Sequence, residues 1–176
     1  MAREIPLTGV ERTFGDDEII VSKTDTTGRL TYANEVFLRV ASMTEAETIG
    51  QPHSVIRHPH MPRAVFKLLW DTVSSGKELF AYVVNRAKNG DHYWVLAHVT
   101  PSFDANGQII GYHSNRRTAD PHVLETVIKP LYKQLLDIEE AHPNRKDGMN
   151  EAFNTLVKLL EEKGVGYDEF IFSLQS

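Results

Sequence analysis

The sequence predicts an α+β fold: a five-stranded antiparallel sheet with short helices on one face, followed by C-terminal helices. Three observations carry this. Short β-branched and aromatic runs alternate with Asp/Asn-Gly turn clusters. The last three runs follow one another through tight turns, so they are antiparallel neighbours. From about residue 120 the strand signals stop and an apolar stripe at helical spacing takes over.

Each element follows from local chemistry. Ile19-Ile20-Val21, the turn Asp25-Thr26-Thr27-Gly28 and Leu30-Thr31-Tyr32-Ala33 predict a hairpin over 18–33. Asn34 is a helix N-cap, with Val36, Phe37 and Val40 at helical spacing behind it. Thr44 and Glu47 form a capping box for a second short helix, which Gly50-Gln51-Pro52 stops. Pro62 starts a third helix running to about Ser75, with Val65, Leu68, Leu69 and Val73 facing the core. Strands are expected over Phe80–Arg86, His92–Thr100 and Gln108 to about Asn115, joined by Lys88-Asn89-Gly90-Asp91 and Asp104-Ala105-Asn106-Gly107.

Leu124, Ile128, Leu131, Leu135 and Ile138 then form an a/d stripe of about two heptads. Pro130 inside it is expected to kink or restart the helix. The stripe can pack on its own sheet or pair with a second copy as a homodimer. Met149, Phe153, Leu156, Val157 and Leu160 define another amphipathic helix ended by Gly164, and Tyr167 to Leu174 is an apolar tail. The chain therefore divides into an N-terminal cap segment (1–17), a sheet domain (18–119), an output helix (120–142) and a C-terminal helical segment (143–176).

Composition excludes several classes of function. The 176 residues include no cysteine, which removes disulfides, thiolate zinc sites, covalently attached haem and cysteine nucleophiles. With 19 basic against 24 acidic side chains, the chain has no general attraction to nucleic acid or anionic lipid. No apolar run approaches a membrane span and the N-terminus has no secretory pattern, so a cytoplasmic protein is expected. No hydrolase, Walker-type or dinucleotide-binding motif is present, so no enzyme activity is expected. His58 and His60, with His53 nearby, invite a metal reading, but they lack accompanying carboxylates at ligand spacing and also fit a proline-stiffened loop.

Gly50-Gln51-Pro52-His53 leading into Ile56-Arg57-His58-Pro59 and Met61-Pro62 forms a first motif block. Asn85-Arg86 with Lys88 to Val95 is a second, and Ile110-Gly111-Tyr112 a third. Together with Pro130-Leu131-Tyr132-Lys133, these resemble the PAS domain, and more narrowly the FAD-binding PAS sensor domain of bacterial aerotaxis receptors, over about residues 12–135. The resemblance implies a PAS fold holding FAD non-covalently between sheet and helices. It also implies that redox or oxygen state is relayed through the C-terminal helices to a signalling partner, such as a chemotaxis receptor or histidine kinase. The implied cofactor residues are Asn34, Arg57, His58, His60, Trp70, Asn85 and Tyr93. Arg57 suits a pyrophosphate, Trp70 and Tyr93 suit a ring, and Asn85 suits its polar edge. Two positions depart from the family: His60 stands where an acidic residue is usual, and Leu79 where a tryptophan is usual. With His53, His58 and His60 expected around one cavity edge, b-type haem is the alternative cofactor, and a cofactor-free interaction module is the third reading.

Overall fold

The computed structural model describes residues 4–175; the first three residues of the N-terminal cap segment and Ser176 lie outside it. Five strands, β1 (Ile20–Thr24), β2 (Leu30–Ala33), β3 (Leu79–Arg86), β4 (His92–Phe103) and β5 (Ile109–Thr118), form one antiparallel sheet in the order β2-β1-β5-β4-β3. Pairing of β1 with β5 joins the first hairpin to the last three strands, aligning Ile20 with Arg116 and Ser22 with Ser114. Between β2 and β3 the chain forms α1 (Glu35–Ala41), α2 (Glu45–Thr48), a 3-10 turn (His53–Ile56) and α3 (Arg63–Ser74).

The expected caps form. Asn34 accepts from the Phe37 amide, and Thr44 and Glu47 exchange hydrogen bonds as a capping box. Two strands run past their expected ends. β4 continues through Pro101 to Phe103 because its last residues pair only with β5, so a missing N–H on the other side breaks no ladder bond. β5 continues to Thr118, and the added length matters below. The Asn89-Gly90 turn also anchors the N-terminal segment: Thr8 and Arg12 donate to the Asp91 carboxylate at 2.6 and 2.9 Å, holding its pKa down to about 2.

Beyond the sheet, α4 (Pro121–Val123), a π turn (Leu124–Ile128) and α5 (Lys129–Ala141) form a nearly continuous helix. Pro130 falls in the first turn of α5, directly after the wide π turn, where its missing N–H disrupts no α-helical bond. Leu124, Ile128 and Leu135 of the stripe are buried within this chain, and the Tyr132 hydroxyl donates to the Tyr82 carbonyl of β3. After a cap at Asn144, α6 (Arg145–Lys163) packs on α5 and α3, ending at Gly164 in the left-handed conformation. The apolar tail forms α7 (Tyr167–Ser173), which folds back on the exposed side of β3, where Asp168 accepts from the Phe80 amide at 3.2 Å. An otherwise open sheet edge is thereby covered by the chain itself.

The α5–α6 crossing is tight. A Cβ at Gly148 would stand 2.5 Å from the Glu139 carbonyl oxygen. Gly148→Ala is therefore expected to destabilise the protein by about 1–3 kcal/mol through overpacking, read as a lower midpoint of urea unfolding, while Ala152→Gly nearby costs less.

Candidate functional site

Sheet and helices do not close on one another completely. A cavity of about 640 Å³ lies between the inner face of the sheet and the 3-10 turn, α3 and α6, within the range of small-molecule sites. Its floor exists because β1, β4 and β5 place small residues, Ser22, Ala97 and Ser114, where large ones would fill the space. Ile56, Phe66, Leu69, Trp70 and Val73 supply apolar walls. Trp70 is 39% exposed and meets Tyr112 edge-on at 5.3 Å, so this pair borders the mouth.

The polar lining is distinctive. Of the buried side-chain polar atoms without a hydrogen-bond partner among the described residues, Thr24 Oγ1, Arg63 Nε, Asn85 Nδ2 and Arg116 Nε all belong to residues lining this cavity. Buried polar groups in folded proteins are nearly always paired, so these four atoms give the cavity hydrogen-bonding capacity that the chain itself does not use. Along one rim Arg57, Arg63 and Lys67 supply positive charge. Arg57 stacks over Phe66 at 4.0 Å, and burial lowers its pKa while the Glu139 carboxylate opposes that shift. Glu139 reaches in from α5, accepting from the Arg63 and Ala64 amides at 3.2 and 2.8 Å. It thus caps α3, whose own N-cap, Pro62, has no side-chain acceptor.

Of the residues expected from sequence, Arg57, Trp70 and Asn85 meet in this cavity. Asn34 does not line it; it staples β1 to α1, accepting from Val21 and Phe37 amides and donating to the Ile19 carbonyl. Tyr93 is buried in the sheet's inner face, close enough to Arg116 for their charges to interact. The expectation that His53, His58 and His60 share one cavity edge is not met. His53 lines the cavity, whereas His58 and His60 turn to a second hollow with His92, Trp94 and Tyr132. Proline stiffening and a bond from the His60 amide to His58 Nδ1 at 3.0 Å hold them there. Among the described residues no three His, Cys, Asp or Glu side chains converge to hold a metal ion.

Sequence reasoning missed Ser22, Thr24, Arg63, Met149 and Arg116 as lining residues. The alternation Tyr112, Ser114, Arg116 along one face of β5 is the available signal; the strand expected to end at about Asn115 runs three residues further, to Thr118, and takes Arg116 with it.

These features define a PAS domain. The family model described as PAS fold matches residues 30–116. Among relatives, the chain is 43% identical over 122 residues to the aerotaxis receptor of Escherichia coli K12, covering 69% of this chain and 24% of the receptor. It is 25% identical over 99 residues to a nitrogen fixation regulatory protein of Klebsiella pneumoniae, covering 56% of this chain and 20% of that protein. The matched regions thus span about a quarter or less of these relatives' length. The light-state structure of the blue-light photoreceptor Aureochrome1 LOV superposes with a TM-score of 0.56 at 20% identity, covering 63% of this chain and 89% of that one. The chain carries a PAS sensor domain similar to that of the aerotaxis receptor. Among the described residues no helix is long and apolar enough to cross a membrane.

The site also sets a pH dependence. Burial, then the neighbouring Arg116 cation, lowers His53 from 6.5 to about 3. Burial and nearby imidazoles lower His58 to about 4. The unfolded chain takes up these protons below pH 6.5 and the folded one does not, so stability is full above that pH and declines from 6.5 toward 3. His53→Gln should make the decline of stability between pH 6 and 4 shallower by about one proton, measured by urea unfolding at each pH.

Proposed function

We propose that this chain is a flavin-binding sensor that holds FAD in the 640 Å³ cavity and passes the flavin's redox state to a signalling partner through α4–α7. The observation that carries this reading is the convergence of unpaired buried polar atoms, Asn85 Nδ2 and Arg116 Nε among them, on a hollow otherwise walled by apolar and aromatic side chains. A flat ring with a polar edge satisfies both kinds of surface. The basic rim of Arg57, Arg63 and Lys67 suits the diphosphate, with Arg57 as its main partner. Trp70 and Phe66 supply aromatic surface, and Asn85 offers a free donor to the ring edge. The resemblance in the Gly50–Pro62 and Asn85–Val95 blocks supports the same assignment.

Haem fits less well. The imidazole lining the cavity is His53, and its Nε2 lies 3.5 Å from Arg116 Nη1 and 3.4 Å from Ser22 Oγ. A cation beside the ligating nitrogen disfavours a metal cation there.

When bound, FAD supplies a ring that accepts electrons and protons. The chain's contribution is to turn that change into movement of the C-terminal helices. Met149 of α6 is part of the cavity wall, and Glu139 of α5 holds the start of α3, the helix carrying Arg63, Phe66 and Trp70. Any change in the pull on Arg57 or Arg63 alters what Glu139 must balance, biasing α5 and α6 between two packings. The partner is a signalling protein of the chemotaxis-receptor or histidine-kinase class, acting in the cytoplasm.

The purified chain should show flavin absorbance in the blue, alone or after incubation with FAD. A Soret band would assign haem, and a colourless protein that takes up no FAD would leave a cofactor-free docking module. Arg57→Ala should lower FAD occupancy about tenfold or more, the loss of a charge-assisted bond, with unchanged far-UV circular dichroism. Glu139→Gln should retain FAD but lose redox coupling. In the wild type, exchange protection of the Arg63 and Ala64 amides should differ between oxidised and reduced protein; in the variant it should not.

A further inference from the structure

Arg116 is the largest side chain that the fold buries almost completely, and it is 2% exposed. Its surroundings come from four elements. Ser22 Oγ on β1 accepts from Nη2, His53 Nε2 on the 3-10 turn lies 3.5 Å from Nη1, the Phe37 ring of α1 lies 5.2 Å from Cζ, and Tyr93 of β4 is close enough to interact with its charge. None of these is negative at neutral pH: burial raises Tyr93 to about 12, and His53 stays neutral down to about 3. Among the described residues no carboxylate pairs with Arg116, and its Nε has no partner. Burial draws its pKa down only to about 10, so the guanidinium remains charged. A buried cation with no counter-charge is a large cost to folding, and this one lines the cavity.

We propose that Arg116, positioned by Ser22 and His53, is the counter-ion site for the negative charge that a bound flavin ring gains on reduction. It is thereby a residue that sets the cofactor's redox potential. The proposal rests on the flavin reading above. Two electrons and one proton leave the ring a monoanion, and Arg116 supplies the charge that balances it. The neighbourhood distinguishes this site from one for the diphosphate. A strongly hydrated dianion needs several donors, which Arg57, Arg63 and Lys67 offer together at the rim. Arg116 instead sits alone over Phe37, with Val83 and Ala97 among the other floor residues, where a flat, mostly apolar group with one charged edge fits.

The test is an anaerobic potentiometric titration of FAD-loaded protein. Dithionite supplies the electrons and is oxidised to sulfite; water supplies the proton. Arg116→Met should bind reduced flavin at least tenfold less tightly relative to oxidised flavin, a fall in potential of about 30 mV or more for a two-electron couple. Arg116→Lys should keep more than half of the wild-type preference. An unchanged potential in loaded Arg116→Met overturns the proposal. So does a variant that loses FAD but binds riboflavin with wild-type affinity and potential, because that places the diphosphate at Arg116. Should Arg116→Met fail to load, the wild type decides. Its potential should fall between pH 6 and 8 by about 30 mV per unit or less, one proton or fewer per two electrons, whereas about 59 mV per unit means a neutral reduced ring and overturns the proposal. A wild type that takes up no flavin overturns this proposal and the proposed function together. A loaded wild type with the steeper slope overturns this proposal alone.

Discussion

The architecture depends on a shortage of volume at the centre of the sheet. Where β1, β5 and β4 run side by side, their inward positions are Ser22, Ser114 and Ala97, while the helices opposite present Phe66, Leu69 and Val73. The two surfaces cannot meet. Protein interiors normally pack to crystal density, so a hollow of this size inside so small a domain is a standing cost to stability. The lining makes the hollow tolerable. Thr24, Asn85 and Arg116 give it polar atoms that water or a guest can bond, and the apolar walls make a flat guest preferable to water alone. Burial and unpaired polarity thus oppose each other at the cavity wall, and a guest that fills it would relieve both.

The helices after the sheet are part of the same balance. Glu139 is one of the few buried charged side chains among the described residues; it accepts two helix N-terminal amides and stands 3.6 Å from Arg63 Nε. Those bonds join α5 to the helix that walls the cavity. Gly148 then lets α6 approach the backbone of α5 closely enough for Met149 to reach the cavity itself. The sheet domain and the C-terminal helices share side chains, so they are not two bodies joined by a linker. The relay proposed above would need only a modest difference in affinity between two packings.

Much of the fold was legible in the sequence because it is written in local chemistry. Asn34, the Thr44–Glu47 box, the Asn89-Gly90 turn and the stop at Gly164 each satisfy backbone groups within a few residues, and all appear where the sequence puts them. The cavity was less legible because it is made by register. Arg116 faces inward only because β5 pairs with β1 and β4 at once, opposite Ile20 and Ala97. An arginine near the end of a strand otherwise reads as a solvated charge. Likewise His58 and Arg57 are adjacent in sequence yet turn to different hollows, since consecutive side chains on extended backbone diverge. The closing role of α6 was beyond local reading because Met149 meets the sheet domain only through tertiary packing.

The same geometry reinterprets the two departures from the family. By the resemblance alone, an imidazole at position 60 in place of a carboxylate removes a charge near Arg57, and leucine at 79 in place of tryptophan removes an aromatic partner for a ring. His60 instead faces the second hollow, with His58 and His92. Leu79 is buried at the start of β3 opposite Val99 and is not among the residues lining the cavity. Neither substitution changes the surface a guest would touch. Phe66 beneath Arg57 and Trp70 against Tyr112 still supply aromatic surface, and Glu139, from another element, stands beside Arg63 and is close enough to Arg57 to act on its charge. The carboxylate acting on Arg57 is thus supplied by α5, after the sheet. That arrangement ties the balance of charge at the cavity rim to α5, the helix through which the proposed relay would run.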